Sequence, residues 1–300
     1  MIFYLNFNWR ISVIMKLLIF GSRGWIGCMF INYLKSNGIN FIETNARADN
    51  EALVNDIILL HSPSHIISFI GRTYGDNCNT IDYLEQDGKL VDNVRDNLFA
   101  PVVLSMLAQK HNIHYTYLGT GCIFNNDTND NNHYIYDEND NADFYGSSYS
   151  IVKGFTDRLI KLNANALNLR IRMPIVNYNH HRNFITKILN YNKICSIPNS
   201  MTVLDCFFPA ILDMIKNKTT GTFNLVNPGI ISHNEILEMY KEIVDPSFTW
   251  ENFTIEEQNK ILKSKRSNNH MNTNKIIALY PDIPDIKTAI RNCLINMKEK

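Results

Sequence analysis

Tyr149 and Lys153 stand four positions apart at the start of a stretch that reads as a helix, just behind Gly146, Ser147 and Ser148. That spacing puts both side chains on one helical face. A lysine ammonium beside a phenol favours the phenolate and lowers a pKa that is otherwise about 10, so the tyrosine can exchange a proton with a substrate oxygen near neutral pH. Taken alone, such a pair is more often a surface tyrosine with a lysine one turn on. Thr120, 29 positions earlier, closes an apolar strand in the run GTGCIF (119–124), where a hydroxyl can donate to the same oxygen. Cys122 follows two residues later. A thiolate can abstract a proton when a nearby cation or amide dipoles favour it, although a free cysteine is more commonly a small buried apolar residue.

A second constellation is built for phosphate. Gly21, Gly24 and Gly27 form GxxGxxG directly after the apolar run LLIF and at the start of a helical stretch. The first glycine permits a tight turn, the second lets backbone approach a pyrophosphate, the third lets helix pack on strand, and the helix N-terminus receives the negative charge. Arg23, Trp25 and Ile26 of the same turn, with Gly71 and Thr73 after the third strand, complete the expected cofactor contacts. At the end of the second strand, Glu43 would bind the ribose diol of NAD and Arg47 the extra phosphate of NADP. Two arginines, Arg23 and Arg47, against one carboxylate favour NADP(H).

The elements that must position these groups alternate between strand and helix from residue 16 to about 172, the pattern of a doubly wound parallel sheet. Strands are expected at 17–20, 39–43, 65–70, 114–118 and 166–171. Helices are expected at 25–35, 50–61, 89–111 and 147–162. The Asn- and Asp-rich stretch 125–143 has neither apolar period and reads as a loop that closes over substrate. Beyond Pro174 the pattern is shorter and mixed: helical 183–191, strand 193–197, helical 203–216, strand 222–226 and helical 233–243. A polar stretch follows, then helices near 273–279 and 286–297. The fold class is therefore α/β, a Rossmann sheet with a smaller mixed α/β region. Residues 15–175 are expected to bind the nucleotide cofactor and residues 176–300 mainly the substrate, with 1–14 an extension ahead of Met15 and Lys16.

Composition narrows the function classes. The chain has 300 residues, 45% of them hydrophobic, enough for a substantial core. Lys plus Arg equals Asp plus Glu, at 29 each, and the charges are scattered, so a nucleic-acid partner is not expected. The six cysteines form no close clusters, which argues against a zinc site or a disulfide framework and for a reducing, cytoplasmic setting. The apolar N-terminus is interrupted by Asn6, Asn8, Arg10 and Lys16, and no later run approaches a membrane span. A small-molecule partner fits best.

Thr120, Tyr149 and Lys153 together resemble the extended short-chain dehydrogenase/reductase superfamily, and Asn97 matches a structural asparagine usual there. A closer resemblance rests on TGCIF with Cys122, RMPI (172–175), RNFITKI (182–188), IPNSMT (197–202), NPG with SHNEILEMY (227–240), DPSFTWENFT (245–254) and RSNN (266–269). These look like the plant-type nucleotide-rhamnose synthase/epimerase-reductases, relatives of dTDP-4-dehydrorhamnose reductase, over residues 16 to about 281. Two departures, arginine before the second glycine in GSRGWIG and the spacing of GRTYGDNCN (71–79), lie near the cofactor and bear on nucleotide preference more than on reaction type.

The resemblance implies that Cys122 and Lys187 move protons at C3 and C5 of a UDP-4-keto-6-deoxyglucose, and that hydride from NADPH then reduces C4 to give UDP-L-rhamnose. Arg182, Asn183 and Arg266 become candidate contacts for the UDP part, through bidentate arginine donors and an amide edge. With one glycine fingerprint in the chain, a separate 4,6-dehydratase is expected to supply the keto sugar. A homodimer is compatible with the family. Two other readings stand beside this one: a reductase that receives substrate already epimerised, and a catalytically silent nucleotide-sugar-binding subunit, which should have lost Tyr149, Lys153 or Thr120.

Overall fold

In the computed structural model the described residues are 15–75, 78–125 and 134–299. The expected extension 1–14 lies outside them, as does the middle of the expected closing loop. In chain order the elements are β1 (Leu17–Phe20), α1 (Trp25–Ser36), β2 (Phe41–Thr44), α2 (Glu51–His61), β3 (His65–Ser68), α3 (Leu90–Val94), α4 (Ala100–Lys110), β4 (His114–Thr120), β5 (Ile135–Tyr136), α5 (Ser148–Ile160) and β6 (Ala166–Ile171). They continue with β7 (Pro174–Ile175), α6 (Phe184–Leu189), β8 (Thr202–Val203), α7 (Phe208–Lys216), β9 (Gly221–Asn224), α8 (His233–Ile243), α9 (Ile255–Ile261), β10 (His270–Met271), α10 (Asn274–Leu279) and α11 (Ile286–Lys298).

Six strands form one parallel sheet in the order β2-β1-β3-β4-β6-β9. The chain runs outward from β1 to β2 and then returns to the other side of β1, so the topological switch lies between β1 and β3, and ligands of open α/β sheets bind outside such strand ends. Period-two alternation explains the two faces. Leu17 and Ile19 of β1 join Phe30, Ile31 and Leu34 of α1 in one core, while Leu18 and Phe20 join Val54 of α2 and Leu104 of α4 in the other. The last strand comes from residues 221–224, so the sheet itself crosses the boundary expected at 175. A third core, including Ile185, Ile188, Ile236, Leu237 and Ile290, gathers α6, α8 and α11 beside the sheet.

Most elements fall where the pattern places them, with four exceptions. The single helix expected at 89–111 is interrupted by a π-helical turn, Arg95–Phe99. Pro101 lacks the N–H that would bond the carbonyl of Asn97 four residues back, and that carbonyl instead accepts the Thr156 hydroxyl at 2.6 Å. The strand expected at 193–197 is only one bridge, Ile194 to Asn252. The polar stretch holds α9, started by a reciprocal capping box between Thr254 and Glu257. The base of the expected loop 125–143 contains β5, which pairs with β10, and Asp143 accepts from Asn125 N and Tyr136 Oη.

Among the described residues no helix is long and apolar enough to cross a membrane, and no group of His, Cys, Asp and Glu is arranged to hold a metal ion. At the N-terminal strand ends, away from the switch point, His65 and His114 sit opposite each other in register with ring centroids 5.3 Å apart. Burial, with the charge of His114 and Lys218, pushes His65 down from 6.5 to about 4. His114 is lowered in the same direction, chiefly by burial. Both are neutral in the fold, whereas the unfolded chain takes up protons below pH 6.5, so the stability they allow is complete above that pH and lost on descent toward 4. Thermal melts across that window should show a falling midpoint, and His65→Gln should flatten the slope; an unchanged slope would remove this pair as the cause.

Candidate active site

Gly21 takes φ +75°, and a Cβ there would meet the Phe69 carbonyl carbon at 2.9 Å and the Ile70 nitrogen at 3.0 Å. Only glycine lets the end of β1 lie this close to the end of β3. The Gly24 amide closes the turn on Gly21 O at 3.0 Å, and a Cβ on Gly27 would be driven into that same carbonyl. Helix α1 starts at Trp25 with Gly24 as its N-cap, with no side-chain cap and no acid in its first turn. Its leading N–H groups are therefore available to an anion. Trp25 stacks on His180 with centroids 5.1 Å apart and planes 2° apart, and its buried Nε1 has no partner. These features fit a dinucleotide pyrophosphate.

The other cofactor candidates line the same crevice. Arg23, Gly71 and Thr73 are exposed and Ile26 is half-buried. The backbone between Gly71 and Thr73 is pinned by Asn97, whose side chain accepts from Arg72 N and donates to Arg72 O, both at 2.8 Å. Arg47 differs from a free phosphate ligand. It binds Asp49 through two nitrogens and Asp96 at 3.0 Å, and Arg72 shares Asp96. Any 2′-phosphate held here joins an existing cluster of cations and carboxylates.

Thr120, Cys122 and Tyr149 gather near the C-terminal end of β4. Thr120 is the last residue of β4, its hydroxyl accepts from Cys122 N at 3.1 Å, and it lies near enough to the Tyr149 side chain to favour its ionised form. Ser147 caps α5, accepting from Ser150 N at 3.0 Å, and Glu85 accepts from Ser148 N at 2.7 Å, so the helix start that carries Tyr149 is held from both sides. Tyr149 and Lys153 are both buried on the expected face. Their electrostatics differ from expectation. Lys153 Nζ hydrogen-bonds Tyr117 Oη and lies over that ring, and burial lowers it to about 8. Burial and the charge of Cys122 push Tyr149 up, against a lowering by Thr120. Burial thus opposes the phenolate that the spacing of Tyr149 and Lys153 suggests.

On the substrate side, Lys187 of α6 donates to Asn79 O at 3.3 Å, and burial, then the charges of Arg182 and Arg266, lower its pKa. Arg182 stacks over Tyr74 at 3.5 Å. Arg266 is paired with Asp82; burial pushes that carboxyl up, but hydrogen bonds from Arg266, Thr80 and Ser264 outweigh it and hold it well below the carboxylate range. Arg266 also lines a cleft of about 610 Å³ with Asn125, Tyr145, Asn259 and Lys265. Three cations against one carboxylate suit a diphosphate. Asn183 corrects the sequence reading. It is fully buried and caps α6, its oxygen accepting from Ile185 N and Val176 N and its nitrogen donating to Val176 O and Tyr178 O, so no face is left for a ligand. Asn before a helical run is an N-cap signal, and that was its legible meaning. Sequence reasoning missed Tyr117, Asp82 and Glu85, which no motif marks, and left Arg172 of RMPI without a role.

No family model matches the chain. The crystal structure of the UDP-rhamnose synthase of Acanthamoeba polyphaga mimivirus superimposes with a TM-score of 0.92 at 54% identity, covering 94% of this chain and 99% of that one. The bifunctional dTDP-4-dehydrorhamnose 3,5-epimerase/dTDP-4-dehydrorhamnose reductase of Arabidopsis thaliana is 38% identical over 280 residues, 91% of this chain and 90% of its own length. The chain belongs to the nucleotide-rhamnose epimerase/reductase family. The fold extends to more distant reductases: dTDP-4-dehydrorhamnose reductase of Bacillus anthracis, solved in complex with NADP, matches with a TM-score of 0.79 at 15% identity, covering 94% of this chain and 99% of that one. Within this family member, Asn183→Ala should lower the free energy of unfolding by about 1–3 kcal/mol, read from the urea midpoint, with nucleotide-sugar affinity retained. Lost affinity at unchanged stability would restore a direct substrate contact.

Proposed function

We propose that this protein carries out the 3,5-epimerisation and NADPH-dependent 4-reduction that convert UDP-4-keto-6-deoxy-D-glucose to UDP-L-rhamnose. The observation that carries the reading is the meeting of Thr120, Cys122 and Tyr149 at one strand end, in a chain 54% identical to a UDP-rhamnose synthase over 94% of its length. Protons beside a C4 ketone are acidic because their loss gives an enolate. Hydrogen bonds from Thr120 and the protonated Tyr149 stabilise its oxygen. Cys122 takes a proton from one side of the sugar. Lys187, brought down by burial and its neighbouring arginines, returns one from the other.

The glycine turn, the uncapped start of α1, Arg23, Gly71 and Thr73 hold the dinucleotide, and Arg47 within its carboxylate cluster takes the phosphate that distinguishes NADP. Held there, NADPH would supply the hydride for C4. Tyr149 then gives its proton to O4, a task suited to a phenol that burial keeps protonated. The same polarised carbonyl serves both steps, which is why one pocket suffices. Arg182 and Arg266 hold the diphosphate. The keto substrate is supplied by a nucleotide-sugar 4,6-dehydratase, and the six free cysteines suit a reducing cytoplasm.

Phe99 and Met106 beside and on α4, with Phe155 and Leu159 on α5, are apolar and 43–56% exposed on neighbouring helices. A second copy of the chain, pairing these helices with its own, would cover them. Met106→Glu with Phe155→Glu should halve the mass seen in sedimentation; an unchanged mass sinks the dimer.

Purified protein given the UDP keto sugar in deuterated water without NADPH should place deuterium at C3 and C5. Its absence would leave a reductase only. Cys122→Ser should suppress that exchange far more than reduction of an already epimerised sugar. Tyr149→Phe should slow reduction by about 100-fold or more while NADPH still binds; full turnover in that variant would exclude the tyrosine as the acid. Running the assay with UDP and dTDP sugars, and with NADPH and NADH, reads both preferences directly.

A further inference from the structure

Two arginines two residues apart, Arg170 on β6 and Arg172 just past its end, are almost wholly buried, at 0% and 1% exposure. Arg170 has the partner a buried cation requires: Asp157 receives its Nε at 2.9 Å and its Nη2 at 2.7 Å. Arg172 has none of that kind. Its acceptors are neutral: Asn199 Oδ1 at 2.6 Å, Ser267 Oγ at 3.1 Å, Gly121 O at 3.4 Å and the Ser267 carbonyl, and its Nε has no partner. The remaining contact is Cys122 Sγ, 3.6 Å from Nη1.

The other titratable groups around the pair supply no negative charge. His233 is held neutral, pushed down to about 4 by burial and by the charge of Arg172. Tyr149 is pushed up and remains a phenol. Lys153, which senses Cys122, is a second cation, and the Asp157 carboxylate it also senses is already engaged by Arg170. Among the described residues no carboxylate forms an ion pair with Arg172. The sulfur is the group in contact with Arg172 that can carry a negative charge.

We propose that the Arg172 guanidinium is the counter-charge of the Cys122 thiolate, and so the positioning residue that readies Cys122 for proton abstraction. This deepens the proposed function and rests on its reading of Cys122 as an epimerisation base. In that step the carbon–hydrogen bond breaks, a sulfur–hydrogen bond forms, and the electron pair moves to the ketone oxygen, held by Thr120 and Tyr149. Arg172 gives up its counter-charge as the enolate gains it, and recovers it when the thiol is deprotonated again.

The test compares wild type, Arg172→Gln, Arg172→Lys and Cys122→Ser, each with NADPH bound. Iodoacetamide labelling near neutral pH, read by mass spectrometry at the Cys122 peptide, reports the thiolate whatever its role, and exposed Cys28 is the internal control. Arg172→Gln should slow labelling of Cys122 by about tenfold or more with Cys28 unchanged. It should slow deuterium exchange at C3 and C5 by a similar factor and leave reduction of an already epimerised sugar within about twofold. Arg172→Lys, which keeps the charge, should restore most of the labelling. Undiminished labelling in a folded Arg172→Gln overturns the proposal. Slowed labelling together with normal isotope exchange in Cys122→Ser keeps the ion pair and overturns the catalytic reading of Cys122 instead. If Arg172→Gln does not fold, the wild type and Cys122→Ser decide: the melting-temperature gap between them should widen as pH rises, and a flat gap overturns the counter-charge.

Discussion

Arg172 leaves the end of β6 and turns inward, where every donor it carries is out of reach of water. Its acceptors come from three parts of the chain: Gly121 and Cys122 after β4, Asn199 before β8, and Ser267 before β10. A buried guanidinium is tolerated only when those acceptors are held at hydrogen-bonding distance. The requirement fastens the C-terminal segments to the sheet edge that bears Thr120 and Cys122. Asn199 and Asn269 extend the same network, Asn269 N bonding Asn199 Oδ1 and Asn269 Nδ2 bonding Gly121 O. Much of what shapes the surroundings of Thr120 and Cys122 is therefore neutral amide and hydroxyl chemistry serving one buried cation.

A second buried network sets the other wall. The π-helical turn presents Asn97 to the backbone of Arg72, beside the cofactor loop, and to Asn93 four residues back. The same turn accepts the Thr156 hydroxyl of α5 through the Asn97 carbonyl that Pro101 leaves free. Helix α5, with Tyr149 and Lys153, is thus registered against the loop that follows β3. The π-helical turn and the proline behind it tie the loop after β3 to α5.

The electrostatic roles follow from depth more than from residue type. Tyr149, Lys153 and Lys187 are all displaced toward their neutral forms by burial. A tyrosine kept protonated and a lysine eased toward neutrality are what acid–base exchange beside a ketone uses. A lysine one helical turn from a tyrosine suggests a phenolate on paper, but Tyr117 Oη, from the neighbouring strand, is the group that Lys153 touches.

The sequence by itself determined the parallel α/β class, the glycine turn, the helical face shared by Tyr149 and Lys153 and the strand end at Thr120, because strand alternation, helix period and turn chemistry are local properties carried by a few adjacent residues. The cap at Ser147, the capping box at Thr254, the N-cap at Asn183 and the proline at 101 are equally local signals. Long motifs such as RNFITKI and IPNSMT placed the chain in its family. Only the tertiary structure decided that Arg47 and Arg72 share Asp96, that the sheet takes its last strand from 221–224, and that Arg172 lies against Cys122. Each of those depends on which groups are buried together across tens of residues or more of chain. Sequence spacing does not encode that, because the penalty for an unpaired buried group is set by its neighbours in space.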